Sequence, residues 1–185
     1  VTDMSTAMLS QAACRTRLVV DEEFLPFAEN SFNLIISAVN FHWINDVPGM
    51  LKQIHNILCE GGVLIANLFG GCTLEQLRRN ILQAEIDSAS KACAHISPFI
   101  HHSMMPGLLQ RAGFKDIVTD SDIIEVEYSS YKNLMYDLRY MGEASAFIDS
   151  HNYALSKKVL QQLDNIYNAQ KFTESFEIIT LIAKK

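Results

Sequence analysis

No two cysteines of this chain stand at CxxC spacing: Cys14, Cys59, Cys72 and Cys93 are scattered. That argues against a structural zinc or thioredoxin-type site. A chain of this size and apolar content does not need disulfides, so the thiols are read as belonging to a reducing compartment. Basic runs are also missing. Lys+Arg is 15 against Asp+Glu 21, a net charge of −6, which argues against a grip on nucleic-acid phosphate. No apolar stretch approaches the roughly 18 residues of a membrane span; the longest candidate, GGVLIANLFGG, is of strand length. There is no signal-peptide pattern, repeat, low-complexity tract or flexible linker. The chain opens on Val1 rather than Met and reads as entered in mid-domain.

What is there is ordinary globular material. Hydrophobic residues make up 49% of 185, enough for one domain or one domain with a small appendage. Residues 1–3 read as a strand end. Ser5 is placed to cap a helix reaching about Ala13, and RLVV at 17–20 reads as a short strand. FNLIISAV at 32–39 is a near-continuous apolar run that suits a parallel strand covered on both faces. Residues 47–58 carry Met50, Ile54 and Leu58 at helical spacing, with Gly61-Gly62 expected to end that helix before a strand at 63–69. Thr73 is expected to cap a helix at 74–90, and Pro106 to open one that Gly113 stops. A strand at 115–128, broken near 120–122, helices at about 130–142 and 153–169, and a closing strand complete the order. Strand and helix alternate through the first half, the mark of a doubly wound α/β sheet.

The segment DEEFLPFAENSFNLIISAVNFHWINDVPGMLKQIHNILCEGGVLIANLFGG carries a recognisable pattern. An acidic residue stands four before Leu-Pro-Phe. A polar turn, Phe-Asn-Leu-Ile-Ile-Ser, a His-Trp pair, a helix and Gly-Gly follow in order. This resembles class I S-adenosylmethionine (SAM) dependent methyltransferases. LFGGCTLEQLR, HISPF, LLQRAGF and LMYDLRYMGE resemble, more narrowly, the mitochondrial complex I assembly factors of methyltransferase fold. That group is related to the biotin-pathway malonyl-carrier-protein methyltransferases.

The resemblance implies a Rossmann-like, three-layer α/β sandwich. Its sheet is mostly parallel, in the order 3-2-1-4-5-7-6, with strand 7 antiparallel. On that template Val1–Asp3 ends strand 2 and residues 173–183 form strand 7. The family's first strand and its glycine-rich loop have no counterpart in these residues, which should leave strands 2 and 3 without a neighbour. One domain over 1–185 is expected, with helical cap elements at about 74–105 and 128–170.

The resemblance also assigns candidate residues. Asp3 would accept from the cofactor's ribose hydroxyls, against the plainer role of a turn or capping Asp. Met4 would pack on the adenine or in the core. Asp21 would accept from the adenine amino group and Glu22 offer a backbone N–H, against a merely solvated acidic loop. Phe24 and Leu25 read as adenine-side packing or plain core. Ser37 and Ala38, at a strand's carboxyl end, would contribute backbone contacts. Substrate-side candidates are Asn40, His42, His95 and Tyr136. No catalytic residue is assigned beyond His42, which can move a proton near neutrality or simply pack beside the cofactor. Trp43 reads as a packing anchor, and Tyr128, Tyr131, Tyr136 and Tyr140 as either a pocket lining or core. No metal motif is present.

The leading expectation is therefore a SAM-dependent methyltransferase acting on a small molecule, a carrier-bound acyl group or a protein. The alternatives are a protein-arginine hydroxylase-type complex I assembly factor, with a respiratory complex I subunit as partner, and a non-enzymatic assembly protein on the same fold. The expected location is bacterial cytoplasm or an organelle matrix.

Overall fold

The computed structural model describes residues 1–88, 95–96, 98–143, 155–167 and 171–185. The chain divides into two compact units. Val1–Phe69, Ile100–Ser121 and Ile178–Lys185 form the first; Gly70–Phe99 and Asp122–Glu177 form the second.

The first unit opens with β1 (Thr2–Asp3), α1 (Thr6–Gln11) and β2 (Leu18–Val19). Ser5 caps α1 as expected, its Oγ accepting the Met8 N–H at 3.3 Å. Arg17 closes the other end by donating to the carbonyls of Ser10, Ala12 and Cys14. Those are the kind of acceptors a helix terminus leaves over. The chain thus returns to set β2 parallel to β1, with Thr2 opposite Leu18 and Asp3 opposite Val19.

β3 (Phe32–Ala38) runs parallel to β4 (Leu58–Phe69), joined through a 3-10 turn at Phe41–Trp43 and α2 (Val47–Ile57). β4 pairs antiparallel with β6 (Phe172–Lys184), and β5 (Lys115–Tyr128) lies beyond it, in the order β3-β4-β6-β5. Among the described residues, β1 and β2 pair only with each other. The expected order, read without strand 1, is 3-2 and 4-5-7-6, which is the order of these two sheets.

One face of the larger sheet is packed. The Asp46 carboxylate accepts the Gly49 N–H at 2.9 Å and starts α2, which buries Met50, Leu51, Ile54 and Ile57. α4 (Met105–Ala112) adds Met105 and Leu109 to the cluster that holds Leu64, Leu68, Ile179 and Leu181. Each such fully buried side chain stabilises by about 1.5–3 kcal/mol. The expectation that β3 is covered on both faces is corrected. Ile35 packs on this core, whereas Leu34 and Ile36 alternate to the other face and are exposed, Ile36 by 67%.

The second unit holds α3 (Glu75–Asp87), α5 (Tyr131–Met141) and α6 (Lys157–Tyr167). Tyr128, Tyr131 and Tyr167 are buried there with Phe172, their rings 4.3–5.9 Å apart in successive contacts. The expected cap of α3 is a further correction. Leu74 occupies the N-cap in a left-handed conformation, and Thr73 instead exchanges hydrogen bonds with the backbone of Glu177. The cap comes from β6. Glu174 accepts the N–H groups of Gln76 and Leu77 at 3.1 and 2.8 Å, a carboxylate at the positive end of a helix. Burial holds its carboxyl above the usual range.

Three further boundaries differ from expectation. α2 ends at Ile57 and runs directly into β4, so Gly61-Gly62 lie inside that strand, at a shift of register against β3. β5 is continuous through 120–122, its alternating polar and apolar residues sustaining one strand. α1 stops at Gln11, short of Ala13. Cys93 lies outside the described residues, as do the ends of the helices expected at 74–90 and 153–169.

Candidate functional site

The ends of β1, β2 and β3 carry most of the expected residues, all in the first unit. Open α/β sheets bind ligands outside the carboxyl ends of their parallel strands. Asp3 ends β1, and the Val20 N–H donates to its carbonyl at 3.3 Å. Asp21 follows one residue later, so Asp3 and Asp21 both lie at the carboxyl ends of two adjacent parallel strands. Each is fixed by a local turn. Asp3 Oδ1 accepts the Ser5 N–H at 2.7 Å, and Asp21 Oδ1 accepts the Glu23 N–H at 2.9 Å. The plainer reading of Asp3 as a turn residue therefore describes one oxygen of its carboxylate, and Asp21, read more plainly as part of a solvated acidic loop, likewise commits one oxygen to a turn. The second oxygen of each makes no hydrogen bond among the described residues.

Apolar side chains accompany them. Met4 is 61% exposed and Phe24 74% exposed, so neither is core. Leu25 packs on the core, and its N–H donates to Gln53 Oε1 at 3.0 Å. Gln53 Nε2 in turn donates to the Glu23 carbonyl at 2.7 Å. α2 thereby pins the loop in which Glu22 sits half-buried.

Glu23 ties this loop to the one after β3. Its Oε1 accepts both the backbone N–H and the Nδ2 of Asn45, at 2.7 and 2.9 Å. The residues past β2 are thus held against those past β3. Ser37 and Ala38 end β3 opposite Ala66 and Asn67 of β4. Asn40 begins the 3-10 turn, and its side chain makes no capping bond. His42 sits half-buried with ring centroids 5.1 Å from Phe69 and 5.3 Å from Trp43. Trp43 is half-buried too.

His95 and Tyr136 belong to the second unit. His95 Nε2 lies 2.7 Å from Glu85 Oε1, with both side chains at least nine-tenths buried. Tyr136 and Tyr140 are exposed on α5, in contrast to the buried Tyr128 and Tyr131. Burial and the neighbouring Glu177 hold the Cys72 thiol above its usual range, which makes it a poor nucleophile. No group of three metal-ligating side chains occurs among the described residues.

Sequence reasoning missed Glu23, Asn45, Gln53 and Asn67. Their contacts span 22 to 30 residues of chain, and each is an ordinary polar residue in an amphipathic or loop setting. No local pattern marks such partners.

A methyltransferase domain family matches residues 1–66. The chain is 39% identical over 183 residues to RP459 of Rickettsia prowazekii, a protein named as a methyltransferase, covering 99% of this chain and 80% of that one. The chain belongs to the class I SAM-dependent methyltransferase family. Within that family it is also 42% identical over 152 residues to human "Arginine-hydroxylase NDUFAF5, mitochondrial", covering 82% of this chain but 42% of that protein. It is 30% identical to "Malonyl-[acyl-carrier protein] O-methyltransferase 1" of Coxiella burnetii, over 87% of this chain and 54% of that one. The fold agrees with a Bacillus halodurans crystal structure named as a methyltransferase, at TM-score 0.64 and 13% identity, covering 100% of this chain and 81% of that one. A Haemonchus contortus phosphoethanolamine N-methyltransferase bound to S-adenosylhomocysteine aligns at TM-score 0.54 and 17% identity, over 42% of its chain. Family relatives are thus both bacterial and mitochondrial, and no helix among the described residues is long and apolar enough to cross a membrane.

Proposed function

We propose that this protein is a SAM-dependent methyltransferase whose cofactor site is built on Asp3, Met4, Asp21, Glu22, Ser37 and Ala38. The observation that carries the reading is the placement of Asp3 and Asp21 at the carboxyl ends of adjacent parallel strands, each with one carboxylate oxygen committed to a turn. This donor set fits a nucleoside. A carboxylate accepts two vicinal hydroxyls or one amino group, and the exposed Met4 and Phe24 offer apolar surface for a purine.

When bound, SAM supplies an electrophilic methyl group on a sulfonium sulfur. The protein's residues then have a limited task, to orient the acceptor and exclude water. Asn40 and His42 are the first-unit candidates for that task, since both follow β3. His42 would take a proton only where the acceptor needs one removed. Tyr136 and His95, in the second unit, are the remaining substrate-side candidates. The acceptor is a small molecule, a carrier-bound acyl group or a protein.

A second reading has its own support. The 42% identity to human NDUFAF5 favours an arginine-hydroxylase-type activity on a protein, and the resemblance to complex I assembly factors makes a respiratory complex I subunit the proposed partner. Incubating the full-length protein in air with candidate acceptors, SAM and a reductant, then weighing the product, separates the two, since hydroxylation takes one oxygen atom from O2 and releases the other as water. A gain of roughly 14 mass units with release of S-adenosylhomocysteine supports methylation. A gain of roughly 16 supports hydroxylation. A stable complex with unmodified partner supports an assembly role without chemistry.

A further inference from the structure

Val39 is the residue where β3 gives way to the turn bearing Asn40 and His42, and its φ is +48°. A β-branched side chain is rarely found in the left-handed region, because its Cβ substituents crowd the backbone. Such a conformation persists only where surrounding contacts over-determine it. Here the contacts come from one residue of the neighbouring strand. The Val39 N–H donates to the Asn67 backbone carbonyl at 3.0 Å and to the Asn67 side-chain Oδ1 at 2.7 Å. The first bond continues the ladder beyond the Ala38–Asn67 pair; the second is additional to any ladder.

Just past Val39 the chain is fixed again. Phe41 is buried to 2% exposure, and the turn is closed by the Trp43 N–H donating to the Asn40 carbonyl and the Ile44 N–H to that of Phe41. Asn40 is therefore held between two anchored points, the Val39–Asn67 bond and the Phe41 side chain. Its own carboxamide makes no hydrogen bond among the described residues.

We propose that Asn67 is a positioning residue: its carboxamide locks Val39 in the left-handed conformation and so sets the direction in which Asn40 and His42 leave the strand. This rests on the reading of these strand ends as the cofactor and acceptor site. Asn67 acts through Val39 and touches no reacting atom. Removing the carboxamide leaves the backbone bond in place, so the effect is a loosening of the turn.

Trp43 is the only tryptophan of the chain and sits in that turn, so its fluorescence reports the turn without any ligand. The test compares Asn67→Ala, Asn67→Asp, Val39→Gly and the double variant of Asn67→Ala with Val39→Gly against the wild type in the full-length protein. Trp43 emission is read in the free protein and SAM affinity by calorimetry. Asn67→Ala is expected to shift Trp43 emission and to weaken SAM binding about two- to tenfold, the worth of one hydrogen bond. Asn67→Asp keeps an acceptor oxygen and is expected to restore both. Val39→Gly removes the strain and keeps the Asn67 bonds, so alone it is expected to leave the emission unchanged and, added to Asn67→Ala, to restore it.

The proposal is overturned by unchanged Trp43 emission in folded Asn67→Ala, or, if Asn67→Ala does not fold, by failure of an added Val39→Gly to restore folding. It is also overturned if Asn67→Asp restores the emission but not the affinity, because that would make Asn67 a ligand contact. Absence of SAM binding in the wild type, with the emission shift still present in Asn67→Ala and reversed in Asn67→Asp, would overturn the cofactor reading and leave the positioning role standing.

Discussion

The same substitution, Gly to Ala, is predicted to have three different effects at three glycines, and the structure supplies each magnitude. Gly113 ends α4 at φ +106°, with its N–H donating to the Gln110 carbonyl and the Phe114 N–H to that of Leu109. A side chain there carries a left-handed strain of about 1–2 kcal/mol. Its Cβ would also stand 3.0 Å from His55 Nε2 and 3.3 Å from Cε1. His55 packs edge-on to Phe114, ring centroids 5.3 Å apart, and Phe114 is core, so the imidazole has little room to retreat. Crowding of this kind costs a further 1–3 kcal/mol or so. The reduced freedom of the unfolded chain returns about 0.4–1 kcal/mol. Gly113→Ala is therefore predicted to destabilise by about 1–5 kcal/mol, with the midpoints summing to roughly 3. Gly142 ends α5 at φ +84° with nothing within 4 Å of a Cβ, so Gly142→Ala bears the strain alone and loses about 1 kcal/mol. Gly107 lies inside α4 with ordinary φ, and Arg111 is the nearest neighbour at 3.9 Å. Gly107→Ala is predicted to gain about 0.5 kcal/mol. Urea unfolding followed by Trp43 fluorescence and circular dichroism measures all three. Equal effects at Gly113 and Gly142, within about 0.3 kcal/mol, would refute the claim that His55 closes the space above Gly113.

Other predictions follow from single contacts. Glu174→Ala removes the acceptor for the Gln76 and Leu77 N–H groups, and loss of these charge-assisted bonds is predicted to cost about 2–4 kcal/mol. Hydrogen exchange at those two amides should accelerate more than elsewhere in α3. Gly70→Ala would place a Cβ within 2.7 Å of three Glu177 side-chain atoms and displace the carboxylate that accepts the Cys72 N–H. Cys72 should then react faster with a thiol reagent, because Glu177 is part of what holds its thiol unreactive. Burial, then Lys52 and Lys185, hold the His55 pKa below its ordinary 6.5. The unfolded chain then binds more protons than the native one below that value. Stability is predicted to fall as pH drops from about 6.5 toward 5, and His55→Gln to flatten that slope in urea titrations.

Local signals carried much of the architecture. Ser5, Pro106 and Gly113 punctuate helices because each acts on its own neighbouring backbone, and the apolar spacing of α2 needs no tertiary partner to be read. The Thr73 cap failed for the opposite reason: Glu174, about a hundred residues away, took over the role and Thr73 was drawn into bonds with Glu177. The apolar run of β3 does not reveal which of its faces is covered, because Leu34, Ile35 and Ile36 look alike in composition and differ only in what packs on them. The candidate site divides in the same way. Asp3, Asp21 and the residues after β3 stand in a legible order along the chain. The Glu23–Asn45 and Gln53 ties that hold those loops together are visible only in three dimensions. Tyr128 and Tyr136 shared one aromatic pattern, yet one is buried and the other is 55% exposed on α5.

Whether Asp3 and Asp21, at the ends of β1 and β2, hold a SAM nucleoside is decided by calorimetric titration of SAM into full-length protein and its Asp21→Ala variant. Saturable binding with one site per chain is expected, weakened in Asp21→Ala by about tenfold or more through loss of a charge-assisted hydrogen bond. Saturable binding that is unchanged in folded Asp21→Ala, or no binding to the folded wild type, would contradict that role.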